Sequence, residues 1–426
     1  MKHNAYIGID LGTSGCRAIA ISDSGNVIAQ SQQNIPAAKQ VPPCSEQDPQ
    51  QHWKIVVGVL SDLFPKLTDY NVVRIAVDAT SGSVLLVDDN GETLTPLLMY
   101  NDARALTNAE VIKHIAPAES GAHGASSGLA KLLHLQQQYD LTNKVKLLHQ
   151  TDWINFRLGA ELAVTDYNNA LKSGYDAVNL CWPEWLKGLV PETVLPDVVR
   201  PGTFIGQLSP TLCEQFALEN RPNIVAGTTD SIAAVLATGI DKSGQAVTSL
   251  GSTLVLKLLS DQPLFKPAYG IYSHRLGCKW LVSGASNSGG AVLRHFFTDQ
   301  QLETLSLEID LNKKPANYYP LLSPGERFPE NNAQLKPRLS PRPQQDREFL
   351  HGLLTGIANI ETKGYQLFQQ FGAIKLNAIY SVGGGANNQI WQTIRNQSLA
   401  VPFIKPQYTE ASYGAALLAR DQLEHY

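Results

Sequence analysis

The 426-residue sequence predicts an α/β fold in two domains, and three observations carry that prediction. A strand–turn–strand pattern built on glycine and hydroxyl residues opens the chain and returns near its middle. Short apolar runs alternate with segments of helical spacing throughout. The length is enough for two cores of ordinary size.

The first pattern is Tyr6-Ile-Gly-Ile-Asp-Leu-Gly-Thr-Ser-Gly-Cys-Arg17, followed by Ala18-Ile19-Ala20-Ile21. It reads as a tight β-hairpin whose turn holds Gly12, Thr13 and Ser14. Such a turn exposes backbone N–H groups to an anion and adds two hydroxyl donors, so it suits a phosphate. Asp10, just before it, would repel phosphate yet can hold a hydrated Mg²⁺ that phosphates share. An ordinary turn uses the same residue types, so the pattern alone leaves both readings open.

In chain order, Asp23–Asn26 is a second turn and Val27 starts a third strand of an antiparallel meander. The proline-rich segment 35–49 reads as a loop carrying Lys39, and helical spacing begins at Gln51. Val72–Val77 is a buried strand that ends in the polar group Asp78-Ala-Thr-Ser-Gly82, a composition better suited to a ligand than to a core. A hairpin over 84–100 delivers Tyr100-Asn-Asp-Ala-Arg104, whose Asp102 and Arg104 suit either sugar hydroxyls or a surface ion pair. Helical patterns cover 129–139 and 147–158, then the polar stretch Thr165-Asp-Tyr-Asn-Asn-Ala170 interrupts them, and 182–201 reads as packing.

A domain boundary is expected near Ile224–Ala234, where a strand ends in Gly227-Thr-Thr-Asp230 and a helix opens at Ser231. Asp230 at the helix start is a favourable cap, and the positive helix end also keeps a carboxylate ionised, as a base at neutral pH must be. The opening pattern then recurs in Ala246–Leu259, where Leu250-Gly-Ser-Thr253 aligns with Leu11-Gly-Thr-Ser14. Two such turns could hold a polyphosphate from opposite sides. A second small-residue turn precedes a helix at 291–297, and 315–343 is a long loop. A helix over 349–371 and a strand over 378–382 lead into Gly383-Gly-Gly-Ala-Asn-Asn388 and a helix carrying Trp391. Three glycines there let a nucleotide lie against the backbone, or form a plain turn before a core tryptophan.

Composition narrows the partners. With 43% hydrophobic and 17% charged residues and a net charge of −4, the chain has neither the basic footprint of a nucleic-acid binder nor that of a protein bound to anionic membranes. No run approaches the roughly 18 apolar residues of a membrane helix, and no secretion signal is expected. Five dispersed cysteines without a Cys-x-x-Cys pair argue against disulfides and zinc and fit a reducing cytoplasm. Neither a P-loop nor a Gly-x-Gly-x-x-Gly motif occurs.

Taken in register, these motifs resemble the FGGY carbohydrate kinases of the actin-like ATPase superfamily. Ile9–Ser14 and Thr248–Thr253 are similar to the two phosphate motifs, Gly383–Ala386 to the adenosine motif, and 165–170 and 227–230 to two further family segments. The resemblance spans nearly the whole chain. It implies two ribonuclease-H-like domains with a cleft between them: a sugar-binding domain over 1–237, to which a helix in 410–426 returns, and a nucleotide-binding domain over 238–409.

It also implies ATP and Mg²⁺, with Asp230 as general base and Asp10, Thr13 and Asp230 near the metal. Gly12, Thr13, Ser14, Gly251, Ser252 and Thr253 would meet the phosphates, and Gly384, Gly385, Asn388 and Trp391 the adenosine. Ser81, Asp230 and Ser231 would meet the sugar, with Lys39 a further candidate. Two departures bear on substrate: the chain is shorter than many members, and Asp78-Ala-Thr-Ser-Gly82 stands where xylulose kinases have Gly-Gln-Met-His-Gly. Both resemble a compact branch associated with D-ribulose. The expectation is therefore a cytoplasmic D-ribulose kinase, monomeric or homodimeric, with a D-xylulose kinase or a non-catalytic ATP-binding sugar sensor as alternatives.

Overall fold

The computed structural model describes residues 2–141, 144–424 and 426. It divides into two compact units, Met1–Ala237 with Tyr408–His425, and Thr238–Gln407 with Tyr426.

In the first unit, β1 (His3–Leu11), β2 (Gly15–Ser22) and β3 (Val27–Asn34) form the antiparallel meander. The segment expected to be a loop contains a second hairpin, β4 (Lys39–Val41) and β5 (Cys44–Gln47). All three residues of β4 are exposed, so no apolar alternation marks it. Asp48 then caps α1 (Pro49–Leu63), accepting from the Gln50 N–H, and Pro49 occupies the first turn, where its missing N–H costs nothing. Next come β6 (Tyr70–Ala79), β7 (Val84–Asp88), β8 (Leu97–Leu98), α2 (Leu106–Ile115) and α3 (Gly128–Gln136).

Residues 147–149, read as helix, belong to β9 (Val145–His149), which pairs with β7, and α4 (Gln150–Leu158) follows. The interruption at 165–170 is β10 (Val164–Asp166) running into α5 (Tyr167–Ala170), and β11 (Asp197–Val199) pairs with β10. The unit continues through β12 (Phe204–Gln207), α6 (Pro210–Gln215), β13 (Asn223–Thr229) and α7 (Asp230–Ala237).

The main sheet has the order β12-β13-β6-β1-β2-β3, with β1 parallel to β6 and β6 parallel to β13. Its core is aliphatic, centred on fully buried Ile7, Ile9, Leu11, Ile75 and Val77. The C-terminal helix, Ala411–Asp421, lies directly on this sheet. A Cβ added at Gly8 of β1 would fall 2.0 Å from the Ser412 carbonyl oxygen, and one at Gly414 would fall 1.8 Å from that of Ala233 in α7. Only glycine permits either approach.

The second unit repeats the plan: β14 (Gln245–Leu250), β15 (Leu254–Ser260), β16 (Tyr272–Leu276) and β17 (Lys279–Ser286) precede α8 (Gly290–Phe296) and α9 (Asp299–Leu307). After the long loop come α10 (Asp346–Gln370), β18 (Ala378–Val382), α11 (Gln389–Leu399) and β19 (Phe403–Ile404). The sheet order is β16-β17-β15-β14-β18-β19, antiparallel over the first four strands and parallel from β14 onward. Its core is richer in rings, including Phe328, Phe349, Phe368 and Trp391. Tyr426 belongs to this unit, its carbonyl accepting from the Cys278 N–H and its hydroxyl bonding the Ile240 carbonyl. Residue 425, within the stretch assigned to the first domain, lies outside the described residues. Among the described residues no helix is long and apolar enough to cross a membrane.

Candidate active site

Adjacent parallel strands place the first carboxylates. Asp10 of β1 and Asp78 of β6 are register partners, and β13, on the other side of β6, ends where α7 begins with Asp230. Asp78 is fully buried, and neither of its carboxylate oxygens meets an N–H or hydroxyl donor. Burial, with the nearby charge of Asp230, pushes the Asp10 pKa up to about 6. Asp78 is raised well above the usual carboxylate range by burial and by the charges of Asp10 and Asp230.

Three acids gathered in one place, with only the charges of Arg17 on Asp10 and of Lys172 on Asp230 to oppose them, form a site of negative potential. Among the described residues no set of three His, Cys, Asp or Glu side chains closes into a metal cage. That combination fits a hydrated Mg²⁺, which takes one or two carboxylates and fills its other positions with water and phosphate oxygens. Asp10 and Asp78 are the residues that would hold it. In the sequence Asp78 belongs to a polar group suited to a ligand, and it is the register with Asp10 that adds it to Asp10, Thr13 and Asp230 as a candidate for the metal.

Asp230 starts α7, and its Oδ1 accepts from the Ser231 N–H at 2.6 Å. Its negative charge also acts on the ammonium of Lys172, which donates to the Ser81 carbonyl at 2.9 Å. The structure thus links Ser81 to Asp230 through Lys172. Lys131, fully buried, donates to the carbonyls of Gly82 and Met99 at 2.7 and 2.6 Å. Burial pushes its pKa down to about 7. Asp102 is fully buried rather than at the surface, and Arg104 pairs with it and with Glu46, both at 2.7 Å. Lys39 stands apart: it lines a shallow depression with Glu46, Asp48 and Thr95, to which Ser81, Asp230 and Ser231 do not contribute.

A buried polar chain joins the first hairpin turn to the 80–83 loop. The Gln47 Nε2 donates to the Thr13 carbonyl at 3.2 Å, and its Oε1 accepts from His52 Nε2 at 3.0 Å. His52 Nδ1 then accepts from Gln150 Nε2 at 3.0 Å, and Gln150 Oε1 accepts from the Thr80 hydroxyl at 2.8 Å, which bonds Ser83 at 2.6 Å. Every link is made only if the imidazole is neutral with its proton on Nε2. Burial agrees, pushing His52 from its ordinary 6.5 down to about 4.

A histidine that is neutral in the fold but titrates at 6.5 when unfolded binds its proton first in the unfolded chain. Its contribution to stability is present above pH 6.5 and is lost as the pH falls through about 4. The difference corresponds to about 3 kcal/mol. Urea unfolding from pH 7 to pH 4 is expected to show this loss in the native chain and a shallower one in His52→Gln. Parallel slopes would rule the histidine out as the cause.

In the second unit, the turn at 251–253 packs on the start of α8, with the Gly290 and Ala291 N–H groups donating to the Gly251 and Ser252 carbonyls at 2.9 and 3.0 Å. Beside it, Gly383 has φ +84°, and a Cβ there would fall 2.8 Å from the Leu250 carbonyl carbon and 3.0 Å from the Gly251 nitrogen. A pocket of about 680 Å³ opens there, lined by Gly384, Gly385, Asn388, Arg294, Ser306 and Glu303 among others. Trp391 forms part of its wall but is 1% exposed, and its Nε1 donates to the Leu354 carbonyl at 3.0 Å. Asn388 caps α11: its Oδ1 accepts from the Trp391 N–H at 2.9 Å and its Nδ2 donates to Ser306 at 2.8 Å. One amide hydrogen of Asn388 remains for a ligand.

Below the turn lies an ion pair. Arg395 Nε and Nη2 donate to the two Glu361 oxygens at 2.6 and 2.7 Å, with both side chains 1% exposed. Thr248 donates to Glu361 at 2.6 Å, and Arg395 Nη1 donates to Ser381 at 2.9 Å, so β14, β18, α10 and α11 meet in one network.

A mixed sheet with a Gly-hydroxyl hairpin occurs once in each unit, and comparison with known proteins identifies the class. Residues 5–237 match the N-terminal domain and residues 246–420 the C-terminal domain of the FGGY family of carbohydrate kinases. The chain belongs to that family. It is 25% identical over 405 residues to the xylulose kinase of Escherichia coli K12, covering 91% of this chain and 83% of that one. It is 22% identical to the gluconokinase of Bacillus subtilis, covering 97% and 86%. Among solved structures, a xyloylose kinase from Brucella ovis superposes with a TM-score of 0.89 at 25% identity, covering 99% of this chain and 91% of that one. Plasmodium falciparum glycerol kinase with ADP matches in fold, with a TM-score of 0.85 at 17% identity, covering 100% and 90%.

Proposed function

We propose that the protein transfers a phosphoryl group from ATP to the primary hydroxyl of a ketopentose, D-ribulose giving D-ribulose 5-phosphate. The observation that carries this reading is the meeting of Asp230 with Asp10 and Asp78, a candidate base beside a candidate Mg²⁺ site. When bound, MgATP supplies the phosphoryl group with its charge partly neutralised. Asp230, fixed by the Ser231 N–H, accepts the proton of the attacking hydroxyl. The turns at Gly12–Ser14 and Gly251–Thr253 donate to phosphate oxygens, and Ser81 and Ser231 orient the sugar. Alignment and charge stabilisation account for most of the rate in a loose phosphoryl transition state.

The Asp78-Ala-Thr-Ser-Gly82 loop favours D-ribulose, whereas several relatives are named xylulose kinases, so D-xylulose is the second reading. Pentose epimers differ in the placing of one hydroxyl, and a site hydrogen-bonded to that hydroxyl discriminates strongly. Steady-state ADP release with D-ribulose, L-ribulose and D-xylulose is expected to rank D-ribulose first in kcat/KM by at least about tenfold. D-xylulose in first place would replace the substrate, and sugar binding without ADP release would turn the kinase into a sensor.

A further inference from the structure

We infer that Lys172 is a positioning residue that sets sugar selectivity by fixing Ser81, a role that rests on reading 80–83 as the sugar loop. Its Nζ donates to the Ser81 carbonyl at 2.9 Å, and among the described residues that is the only hydrogen bond Ser81 makes. The Ser81 hydroxyl is thus left for a ligand, while the backbone that aims it hangs on one ammonium. The neighbouring residues are held by other groups. Gln150 Oε1 accepts from the Thr80 hydroxyl at 2.8 Å, the Gln150 N–H donates to the Ser83 carbonyl at 3.0 Å, and Lys131 donates to the Gly82 carbonyl at 2.7 Å.

Lys172 is itself anchored. It sits in the helical turn Leu171–Ser173 that follows α5. On one side, Asp152 Oδ2 accepts from His149 Nδ1 at 2.7 Å, and a 3.0 Å bond joins His149 Nε2 to the Ser173 hydroxyl, all three side chains being buried. On the other, Asn168 Nδ2 donates to the Thr228 hydroxyl at 3.1 Å, on the strand that leads to Asp230. From this fixed base the side chain runs along the loop: Gly82 has φ +86°, and a Cβ there would fall 3.0 Å from Lys172 Cδ. The Asp230 charge also acts on the ammonium, so the residue serves the loop and the candidate base together. Selectivity between pentoses depends on where one hydroxyl meets its partner, so freedom in Ser81 costs discrimination.

Steady-state ADP release by the full chain with D-ribulose, L-ribulose and D-xylulose tests this. Lys172→Met is expected to raise KM for the preferred pentose by about tenfold or more, the size of a charged hydrogen bond lost, and to lower the preference over the next pentose by about fivefold or more. That preference, a ratio of two kcat/KM values, does not depend on how much of a sample is folded. Lys172→Arg keeps a charged donor and should recover part of the preference. Ser81→Ala should lower the preference too, and the double variant should lose little more than either single one, because Lys172 acts through Ser81. A purely structural role predicts a lower kcat at native KM with the preference intact. That result, or additive losses in the double variant, overturns the assignment. A native chain that releases ADP with none of the three pentoses would instead remove the sugar-loop reading, and the role of Lys172 with it.

Discussion

Asp230→Ala is expected to lower sugar-dependent turnover by about 10²–10⁴, the usual contribution of a positioned base, while ADP affinity stays within about twofold because the adenosine pocket draws on other residues. The carboxylate begins α7 and is held by the Ser231 N–H, so its position does not depend on substrate. Asp230→Asn refines the test, since an amide oxygen keeps that hydrogen bond and the side-chain volume but cannot take a proton. A loss as large as that of alanine identifies proton acceptance as the missing step. Recovery of most of the activity in the amide variant would reduce Asp230 to a hydrogen-bond acceptor that orients the sugar.

Glu361→Ala should destabilise the second unit by about 3–5 kcal/mol, the cost of leaving one member of a buried ion pair alone. Arg395, 1% exposed, would lose both oxygens of its bidentate partner, and Thr248 would lose an acceptor at the same time. Glu361→Gln keeps one acceptor oxygen and should cost less. The same network supports the strands that lead into the 251–253 and 383–385 turns, so ADP affinity is expected to fall in parallel. Urea unfolding followed by tryptophan fluorescence, with calorimetric titration of ADP, measures both effects. A stability within about 1 kcal/mol of the native chain would mean that water or a new partner replaces the lost carboxylate.

Much of the fold is legible in the residue pattern where local chemistry and tertiary structure agree. The two Gly-hydroxyl hairpins, the strand over 72–77, the long helix from Phe349 and the helix after Asn388 all combine a clear period with the right turn residues. Where the signal was hidden, the reason is physical. In α2 Ile112 and Ala109 are buried in a core, but Leu106, Val111 and Ile115 are 64%, 45% and 41% exposed and Asn108 is buried, so the apolar residues do not mark the buried face. Leu147 and Leu148 are a short apolar run that suits strand and helix equally, and the pairing of β9 with β7 decides between them.

The carboxylate at Asp10 and the acid at a helix start are visible because each sits beside its own turn. Asp78 stands out only as part of a polar strand end, since its pairing with Asp10 depends on strand register, and Lys131 does not stand out at all, because a buried charge in a helix looks like any surface charge until its neighbours are known. The relay through His52 and Gln150 joins residues 98 apart in sequence, and the Thr248–Glu361 bond joins residues 113 apart. Lys172 likewise bonds Ser81, 91 residues away.

The glycine contacts of the C-terminal helix set an order on the making of this protein. Residues through Ala237 leave the ribosome first, yet β1 and α7 stay uncovered along the face that Ala411–Asp421 occupies until that helix has been translated. At ordinary elongation rates the delay is on the order of ten to thirty seconds. The second unit, Thr238–Gln407, emerges during that interval, so the nascent first unit waits with one face of its central strand uncovered, a surface on which a chaperone can act.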